Sequence, residues 1–222
     1  MSNVRSRLQA LVLDLDGTLL DDRAAIQAAF PAFLDAHRHL LSGESSEDAL
    51  RRWYEVSGRH WRRFELGELS FAEQRRARAR EFLQVPFNDL EADEAFEHYG
   101  RAYEAAWTLA PKCTEFLERT AGMPKVIVTN GERAQQLRKL KVGALEDHFL
   151  AIVTPEDCGH WKPHPAIFLA ALAALNLEAS SCLMIGDDPS KDLAPARAIG
   201  METFLVECGN SNRTLLHALG ET

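Results

Sequence analysis

Several features missing from the sequence exclude whole classes of protein. No apolar run approaches the roughly 20 residues of a membrane span, the four cysteines include no C-x-x-C pair, and the eight histidines include no H-E-x-x-H motif. We therefore expect neither a membrane protein, a disulfide framework nor a zinc knuckle, and we expect four reduced thiols. Residues 1–7 are polar and basic but lead into no signal-like apolar stretch or cleavage pattern. These observations predict a cytoplasmic protein.

The chain also lacks a surplus of basic residues. It carries 25 Lys and Arg against 33 Asp and Glu, which gives a net charge of −8. Because this charge disfavours attraction to phosphate backbones and anionic lipids, we expect neither a nucleic-acid nor a membrane partner. An anionic substrate would have to be attracted by local groups. With 222 residues, 46% of them hydrophobic, the chain is long enough for one domain with a large insertion.

Valine and isoleucine are scarce in residues 21–108, where the sequence favours helix throughout. Four helices are predicted, at residues 22–41, 46–64, 70–83 and 90–107, with Ser42-Gly43 ending the first. Ser70-x-x-Glu73 forms a capping box for the third. One stripe of the second helix is interpreted as core: Leu50, Trp53, Tyr54, Ser57, His60, Trp61 and Phe64. Four arginines of the third helix are interpreted as a solvated face: Arg75, Arg76, Arg78 and Arg80.

The rest of the chain alternates strands with helices, which is typical of a parallel α/β sheet. Five strands are predicted: the apolar run that ends at Asp14, and residues 125–129, 150–153, 182–185 and 202–206. Helices are predicted at residues 112–120, 132–140 and 165–175, before Gly200, and at 213–219. The predicted fold is therefore α/β, with a Rossmann-like core of residues 1–20 and 109–222 and an all-helical insertion at 21–108.

Polar residues follow three of the predicted strands. In chain order they are Asp14-Leu15-Asp16-Gly17-Thr18, Thr129-Asn130-Gly131 and Gly186-Asp187-Asp188. Lys162 lies between the second and third groups, in the stiff segment Lys-Pro-His-Pro. Ligands of open parallel sheets bind beyond the carboxyl ends of the strands, so these groups are predicted to converge.

The residue types at these positions suit a site that handles phosphate. Asp14, Asp16 and Asp187 are of the type that surrounds Mg²⁺. Lys162 would neutralise phosphate oxygens, and the Thr129 hydroxyl and the amides of the next helix would donate hydrogen bonds. One carboxylate of the first pair would be free to attack, and the other to transfer a proton.

Several of these residues also have structural interpretations. Asp192 could cap the helix that follows it, and Asp188 could be a turn residue. Lys162 alone could be a surface lysine, and Thr129-Asn130-Gly131 a common strand-to-helix turn. The paired aspartates of the first strand are harder to explain, because neighbouring carboxylates at the end of a buried strand repel one another unless they hold a proton or a cation.

Taken together and in this order, these residues resemble the four motifs of the haloacid dehalogenase superfamily. The motifs are an aspartate pair with Gly-Thr, a hydroxyl residue in Thr-Asn-Gly, a lysine in Lys-Pro-x-Pro, and a final acidic group. They fall on Asp14 to Thr18, Thr129 to Gly131, Lys162, and Asp187 with Asp192. The resemblance spans nearly the whole chain. The one departure is His164, at a position where many relatives carry an acidic or polar residue.

The resemblance implies a role for each of these residues. Asp14 would be the nucleophile and Asp16 the general acid and base. The phosphate-binding residues would be Thr129, Asn130, Gly131 and Lys162. Mg²⁺ would be held by Asp14, the backbone carbonyl of Asp16, and Asp187, with support from Asp188 and Asp192.

The resemblance implies a Mg²⁺-dependent phosphatase that hydrolyses a small phosphorylated metabolite through an aspartyl-phosphate. The helical insertion resembles a helical cap of the first type, and residues 64–70 with the later motifs are most similar to the nucleotidase and N-acylneuraminate-9-phosphate phosphatase branch. Three alternatives stay open: a phosphomutase, a catalytically silent phosphate-binding member, and a 2-haloacid dehalogenase, a branch that generally lacks the second aspartate. The expected assembly is a monomer or a homodimer.

Overall fold

The computed structural model describes residues 8–41, 43–208 and 213–220. The chain divides into two units, one that runs to Asp22 and resumes at Trp107, and one formed by Arg23–Ala106. We call them the α/β unit and the helical unit. The sequence predictions on residues 1–7 and on Ser42 lie outside the described residues.

A five-stranded parallel sheet forms the centre of the α/β unit. Its strands are β1 (Ala10–Leu13), β2 (Lys125–Val128), β3 (Ala151–Val153), β4 (Cys182–Gly186) and β5 (Glu202–Leu205). Their order across the sheet is β3-β2-β1-β4-β5. The predicted α/β fold and all five strands are confirmed. Because β1 is central, its carboxyl end lies between those of β2 and β4.

Helices cover the two faces of this sheet: α5 (Cys113–Arg119), α6 (Arg133–Val142), α7 (Pro155–Cys158), α8 (Pro165–Leu175) and α9 (Ala194–Ala198). Successive side chains of a strand point to opposite faces. Leu11 and Leu13 of β1 accordingly pack with Phe116, whereas Val12 packs with Phe168. Both faces of β1 are buried, which explains its uninterrupted apolar sequence.

Four helices build the helical unit: α1 (Asp22–Ala36), α2 (Ser46–Glu65), α3 (Phe71–Leu83) and α4 (Asp89–Ala105). The predicted capping box of Ser70 and Glu73 is confirmed. Trp53 lies at the centre of an aromatic core with Phe33 and Phe82, as the stripe on α2 predicted. No helix in the described part of the chain is long and apolar enough to cross a membrane.

Three predicted segments differ from the structure. The first helix ends at Ala36 rather than at residue 41. In a continuing helix the His37 N–H would donate to the Phe33 carbonyl, but Nδ1 of the His37 side chain is hydrogen-bonded to that carbonyl, and the His37 N–H donates to the Leu34 carbonyl instead. The predicted loop before residue 163 contains α7, which begins at a Thr154 and Asp157 capping box. The last predicted helix is a short 3₁₀ segment, Leu215–Leu219.

The interpretation of the α3 arginines as a solvated face is wrong. All four are half-buried. Arg76 forms a two-point ion pair with Asp93 of α4, with N–O distances of 2.8 and 2.7 Å. The Arg78 guanidinium lies over Trp53, 4.8 Å from the ring centroid. These side chains fasten α3 to its neighbours, because an arginine can bury its stem and stack its planar head.

Candidate active site

The carboxyl ends of β1, β2 and β4 bring the predicted site residues to one edge of the sheet. Leu13 is in register with both Ile127 and Ile185. The residues that continue these strands therefore emerge side by side, and the Asp14 N–H donates to the Ile185 carbonyl at 2.9 Å. Thr129, one residue beyond β2, lies at the same edge. The predicted convergence of the three strand ends is what the structure shows.

Lys162 joins two buried carboxylates at this edge. Its Nζ lies 2.5 Å from Oδ1 of Asp14 and 2.7 Å from Oδ1 of Asp192. The three side chains are only 4%, 7% and 1% exposed, respectively. Lys162 is therefore not the surface lysine that the isolated residue would suggest. A buried ammonium needs such partners, since an unpaired buried charge is strongly destabilising.

Asn130 holds the loop that carries Lys162. Its Oδ1 accepts from the Lys162 N–H at 2.6 Å, and its Nδ2 donates to the Lys162 carbonyl at 3.0 Å. Asn130 was predicted to bind phosphate. In this structure its side chain positions the lysine, so phosphate binding by Asn130 stays a prediction for the backbone N–H alone.

The structure separates the roles of Asp188 and Asp192. Oδ1 of Asp188 accepts from the N–H groups of Ser190 and Lys191, so Asp188 caps the π-helical segment Pro189–Leu193. Asp192 binds Lys162 and accepts from the Asp188 N–H at 3.1 Å. The alternative that Asp192 serves only as a helix cap is therefore wrong.

Two glycines make room for the acidic groups. Gly17 has φ +85°, and a Cβ at that position would overlap the Asp187 carboxylate. A Cβ at Gly186 would overlap the carboxylate of Asp192. These two glycines therefore let both carboxylates approach the end of the sheet.

The electrostatics of the site favour an added cation. Burial raises the pKa of Asp14 well above its usual range; Lys162 opposes this shift, and Asp192 and Asp187 add to it. Loss of hydration beside the surrounding protein raises the pKa of the Asp187 carboxyl to about 6. Repulsion from Asp192 is the second cause of this rise, although the residue is exposed overall. Burial acts to lower the pKa of Lys162, but attraction to Asp14 and Asp192 outweighs it and raises the pKa.

The donor set fits a hard divalent cation. Ligand oxygens of Asp14, Asp187 and Asp192 lie within 4.8 Å of one another. Oδ2 of Asp14 is buried and has no hydrogen-bond partner among the described residues. When all three carboxylates are ionised, they and the Lys162 ammonium carry a net charge of −2. Mg²⁺ takes oxygen ligands, commonly one or two carboxylates together with water and substrate phosphate, and this cluster supplies the carboxylates.

Asp16 is the predicted site residue whose carboxylate lies outside this cluster. Its Oδ1 is 2.5 Å from Nζ of Lys139, and its Oδ2 accepts from Nε2 of Gln136 at 2.7 Å. Sequence reasoning missed both partners, which lie on α6. A signal was present, because residues 136, 139 and 140 share one helical stripe and Leu140 marks that stripe as buried.

Thr129 is positioned by the start of the same helix. Its hydroxyl oxygen accepts from the Gly131 N–H and from Nε2 of Gln136, both at 3.1 Å. Because the oxygen is the acceptor in both bonds, the hydroxyl hydrogen can be donated to a ligand. Thr129 is only 2% exposed.

Open parallel sheets bind ligands at the carboxyl ends of their central strands, so the fold and the site define an α/β protein with a ligand site at this edge. The family model of haloacid dehalogenase-like hydrolases matches residues 8–200, and the chain belongs to this family.

Named relatives support this assignment. A ribulose-1,5-bisphosphate 5-phosphatase from Halopiger xanaduensis is 29% identical over 203 residues, covering 89% of this chain and 84% of the relative. A phosphoserine phosphatase from Thermus thermophilus is 30% identical, and the match covers 91% of this chain and 90% of the relative. The magnesium-bound HAD-hydrolase YfnB from Bacillus subtilis has a TM-score of 0.77 over 90% of this chain and 89% of that one, at 23% identity, a likeness that shows the fold.

Proposed function

We propose that this protein is a Mg²⁺-dependent phosphatase that hydrolyses small phosphate monoesters through a phosphorylated Asp14. The observation that carries the proposal is that the two oxygens of the Asp14 carboxylate differ in their hydrogen bonds. Lys162 fixes its Oδ1 at 2.5 Å, while its buried Oδ2 has no hydrogen-bond partner among the described residues. The family and the phosphatases among the relatives support the enzyme class, a phosphoric monoester hydrolase.

In the first step, a carboxylate oxygen of Asp14 attacks phosphorus and the bond to the leaving oxygen breaks. Asp16 gives a proton to that oxygen, so the product leaves as an alcohol. In the second step, Asp16 takes a proton from water, which displaces Asp14 and releases inorganic phosphate. Lys162 and Thr129 offset charge on the phosphoryl oxygens, since positioning and electrostatics supply most of the catalysis in phosphoryl transfer.

Asp14, Asp187 and Asp192 are the described residues whose side chains would hold Mg²⁺. A bound Mg²⁺ would reduce repulsion between the phosphate and these carboxylates. The carbonyl of Asp16, which the resemblance adds to the ligands, stays part of the proposal.

Asp16 also bears on the alternatives. A 2-haloacid dehalogenase expels halide and needs no proton donor at the leaving group, so a second aspartate favours phosphate esters. A phosphomutase would use the same pair and differ by returning the phosphoryl group to a substrate. A catalytically silent member would bind phosphate without releasing it.

Finer features belong to the proposal as well. The helical unit would be a cap of the first type, and the branch would be the nucleotidase and N-acylneuraminate-9-phosphate phosphatase branch. The substrate would be a nucleotide, a sugar phosphate or a similar metabolite, bound by a monomer or a homodimer, with no nucleic-acid partner. Four thiols outside any disulfide support a cytoplasmic location.

The test is release of inorganic phosphate from a substrate panel, with Mg²⁺ and with EDTA. The panel includes nucleoside monophosphates, N-acylneuraminate 9-phosphate, ribulose 1,5-bisphosphate, phosphoserine and p-nitrophenyl phosphate. We expect Mg²⁺-dependent release that Asp14→Asn abolishes and that the exposed control Asp147→Asn retains. Halide release from 2-chloropropionate without phosphate release would favour the dehalogenase. Phosphate transfer to a second substrate would favour the mutase, and binding without turnover the silent member.

A further inference from the structure

Both carboxylate oxygens of Asp16 are engaged by one helix. Nζ of Lys139 lies 2.5 Å from Oδ1, and Nε2 of Gln136 lies 2.7 Å from Oδ2. A carboxylate that receives one bond on each oxygen cannot rotate about χ2 without breaking one of them. Asp16 is therefore held in a single orientation, even though its side chain is 28% exposed.

Lys139 is an unusual residue to find at this position. Its side chain is only 2% exposed. Its ammonium also lies 3.8 Å from a carboxylate oxygen of Asp22 and 5.4 Å from the ring centroid of Trp107. A buried ammonium is strongly destabilising unless it is paired with an opposite charge. The surroundings of Lys139 thus fix the ammonium, and the ammonium fixes Asp16.

Gln136 links Asp16 to a second predicted site residue. Its Nε2 also donates to the Thr129 hydroxyl oxygen, at 3.1 Å. A Cβ at Gly131 would overlap this amide group. Gly131 was predicted to bind phosphate, and the structure gives it a further reason to be glycine, because any larger residue would displace Gln136.

We propose that Lys139 and Gln136 are positioning residues that set the orientation in which Asp16 transfers its proton. This inference rests on the proposed function, in which Asp16 is the acid and base. It assigns the two residues no direct contact with substrate. Their loss should therefore reduce turnover wherever proton transfer matters and leave substrate binding nearly unchanged.

The test compares leaving groups. p-Nitrophenolate departs as a stable anion, whereas an alkoxide needs a proton. For an alkyl phosphate of the panel that the wild-type protein hydrolyses, we expect Lys139→Met to lower kcat by about 10-fold to 100-fold at nearly constant KM. With p-nitrophenyl phosphate, the loss should be about threefold or less. Lys139→Arg, which keeps the charge, should restore most of the loss, and the exposed control Lys141→Met on the same helix should match wild type.

Gln136→Met provides a second variant that leaves Lys139 in place. It should show the same dependence on the leaving group, with a smaller loss. Thermal unfolding identifies any variant that fails to fold, and the conclusion is drawn from those that do. Equal losses for both leaving groups, a change confined to KM, or wild-type turnover of folded variants would overturn the inference. The proposed function fails separately, if wild type itself releases no phosphate.

Discussion

The ion pairs of the candidate site are buried more deeply than the arginine ion pairs that link α3 to α4. In the α/β unit, Lys162 joins Asp14 and Asp192 where all three side chains are less than a tenth exposed. In the helical unit, Arg76 joins Asp89 where the side chains are 24% and 66% exposed. Screened pairs of the second kind contribute little to folding, whereas buried charges lose hydration that their attraction only partly restores. The deeply buried pairs of Lys162 therefore mark the candidate site, whereas the arginine pairs of α3 serve packing between helices.

The strongest test of this contrast is Lys162→Met. Removing the ammonium leaves Asp14 and Asp192 buried without a counter-charge, so we expect a loss of about 3–5 kcal/mol in the free energy of unfolding. Phosphatase activity should fall by at least about 100-fold. Urea denaturation and steady-state assays measure the two effects, with Lys141→Met as the exposed control. A variant as stable as wild type would mean that these carboxylates are not held by Lys162.

Addition of Mg²⁺ should stabilise the protein in a manner that depends on pH. Without metal, the pKa of Asp187 is raised to about 6 from an ordinary value of 3.8. The folded state then holds a proton that the unfolded state has lost between these pH values, so the contribution of Asp187 to stability falls as pH rises from about 4 to 6. Mg²⁺ must displace that proton, and its affinity should fall about tenfold per pH unit below pH 6.

Calorimetry or thermal unfolding with and without Mg²⁺ measures this dependence. The increase in Tm on adding Mg²⁺ should be larger at pH 7.5 than at pH 5. Asp187→Asn should reduce the increase at pH 7.5 and weaken its dependence on pH, while Asp14, whose pKa is also raised, retains part of that dependence. An increase in Tm equal at both pH values in wild type would contradict the assignment of Asp187 as a metal ligand.

The smallest effect is expected in the helical unit. Arg76→Met removes the ion pairs with Asp89 and Asp93, but these two carboxylates, which are 66% and 44% exposed, stay hydrated without the arginine. We expect Tm to change by about 2 °C or less, with kcat for p-nitrophenyl phosphate unchanged. A loss of stability as large as that of Lys162→Met would remove the distinction between these two sets of ion pairs.

Much of the site could be predicted because its residues lie where a strand pattern ends. The apolar run before Asp14 and the polar residues after the second and fourth strands place three groups at one edge of any parallel sheet. Capping signals such as Ser70-x-x-Glu73 were equally local. These features depend on spacing of a few residues, so one sequence carries them.

The features that were missed depend on tertiary contacts. Lys139 and Gln136 lie on a helix whose sequence is largely polar, and only the packing of α6 shows that both face Asp16. The α3 arginines resembled a solvated face because a charge pattern does not show which guanidinium groups stack on aromatic rings or bind carboxylates of α4. The sequence also did not show that Asp188, rather than Asp192, caps the π-helical segment Pro189–Leu193, because the choice between two nearby aspartates depends on the local backbone.

The central claim is that Asp14 becomes phosphorylated during turnover. The most direct measurement is an acid quench of the protein during hydrolysis of p-nitrophenyl phosphate with Mg²⁺, followed by reduction of the acyl phosphate with borohydride and mass spectrometry of the peptides. We predict modification at Asp14 in wild type and in Lys139→Met, and none in Asp14→Asn. Phosphate release at the wild-type rate by Asp14→Asn, or modification at another carboxylate, would contradict the account.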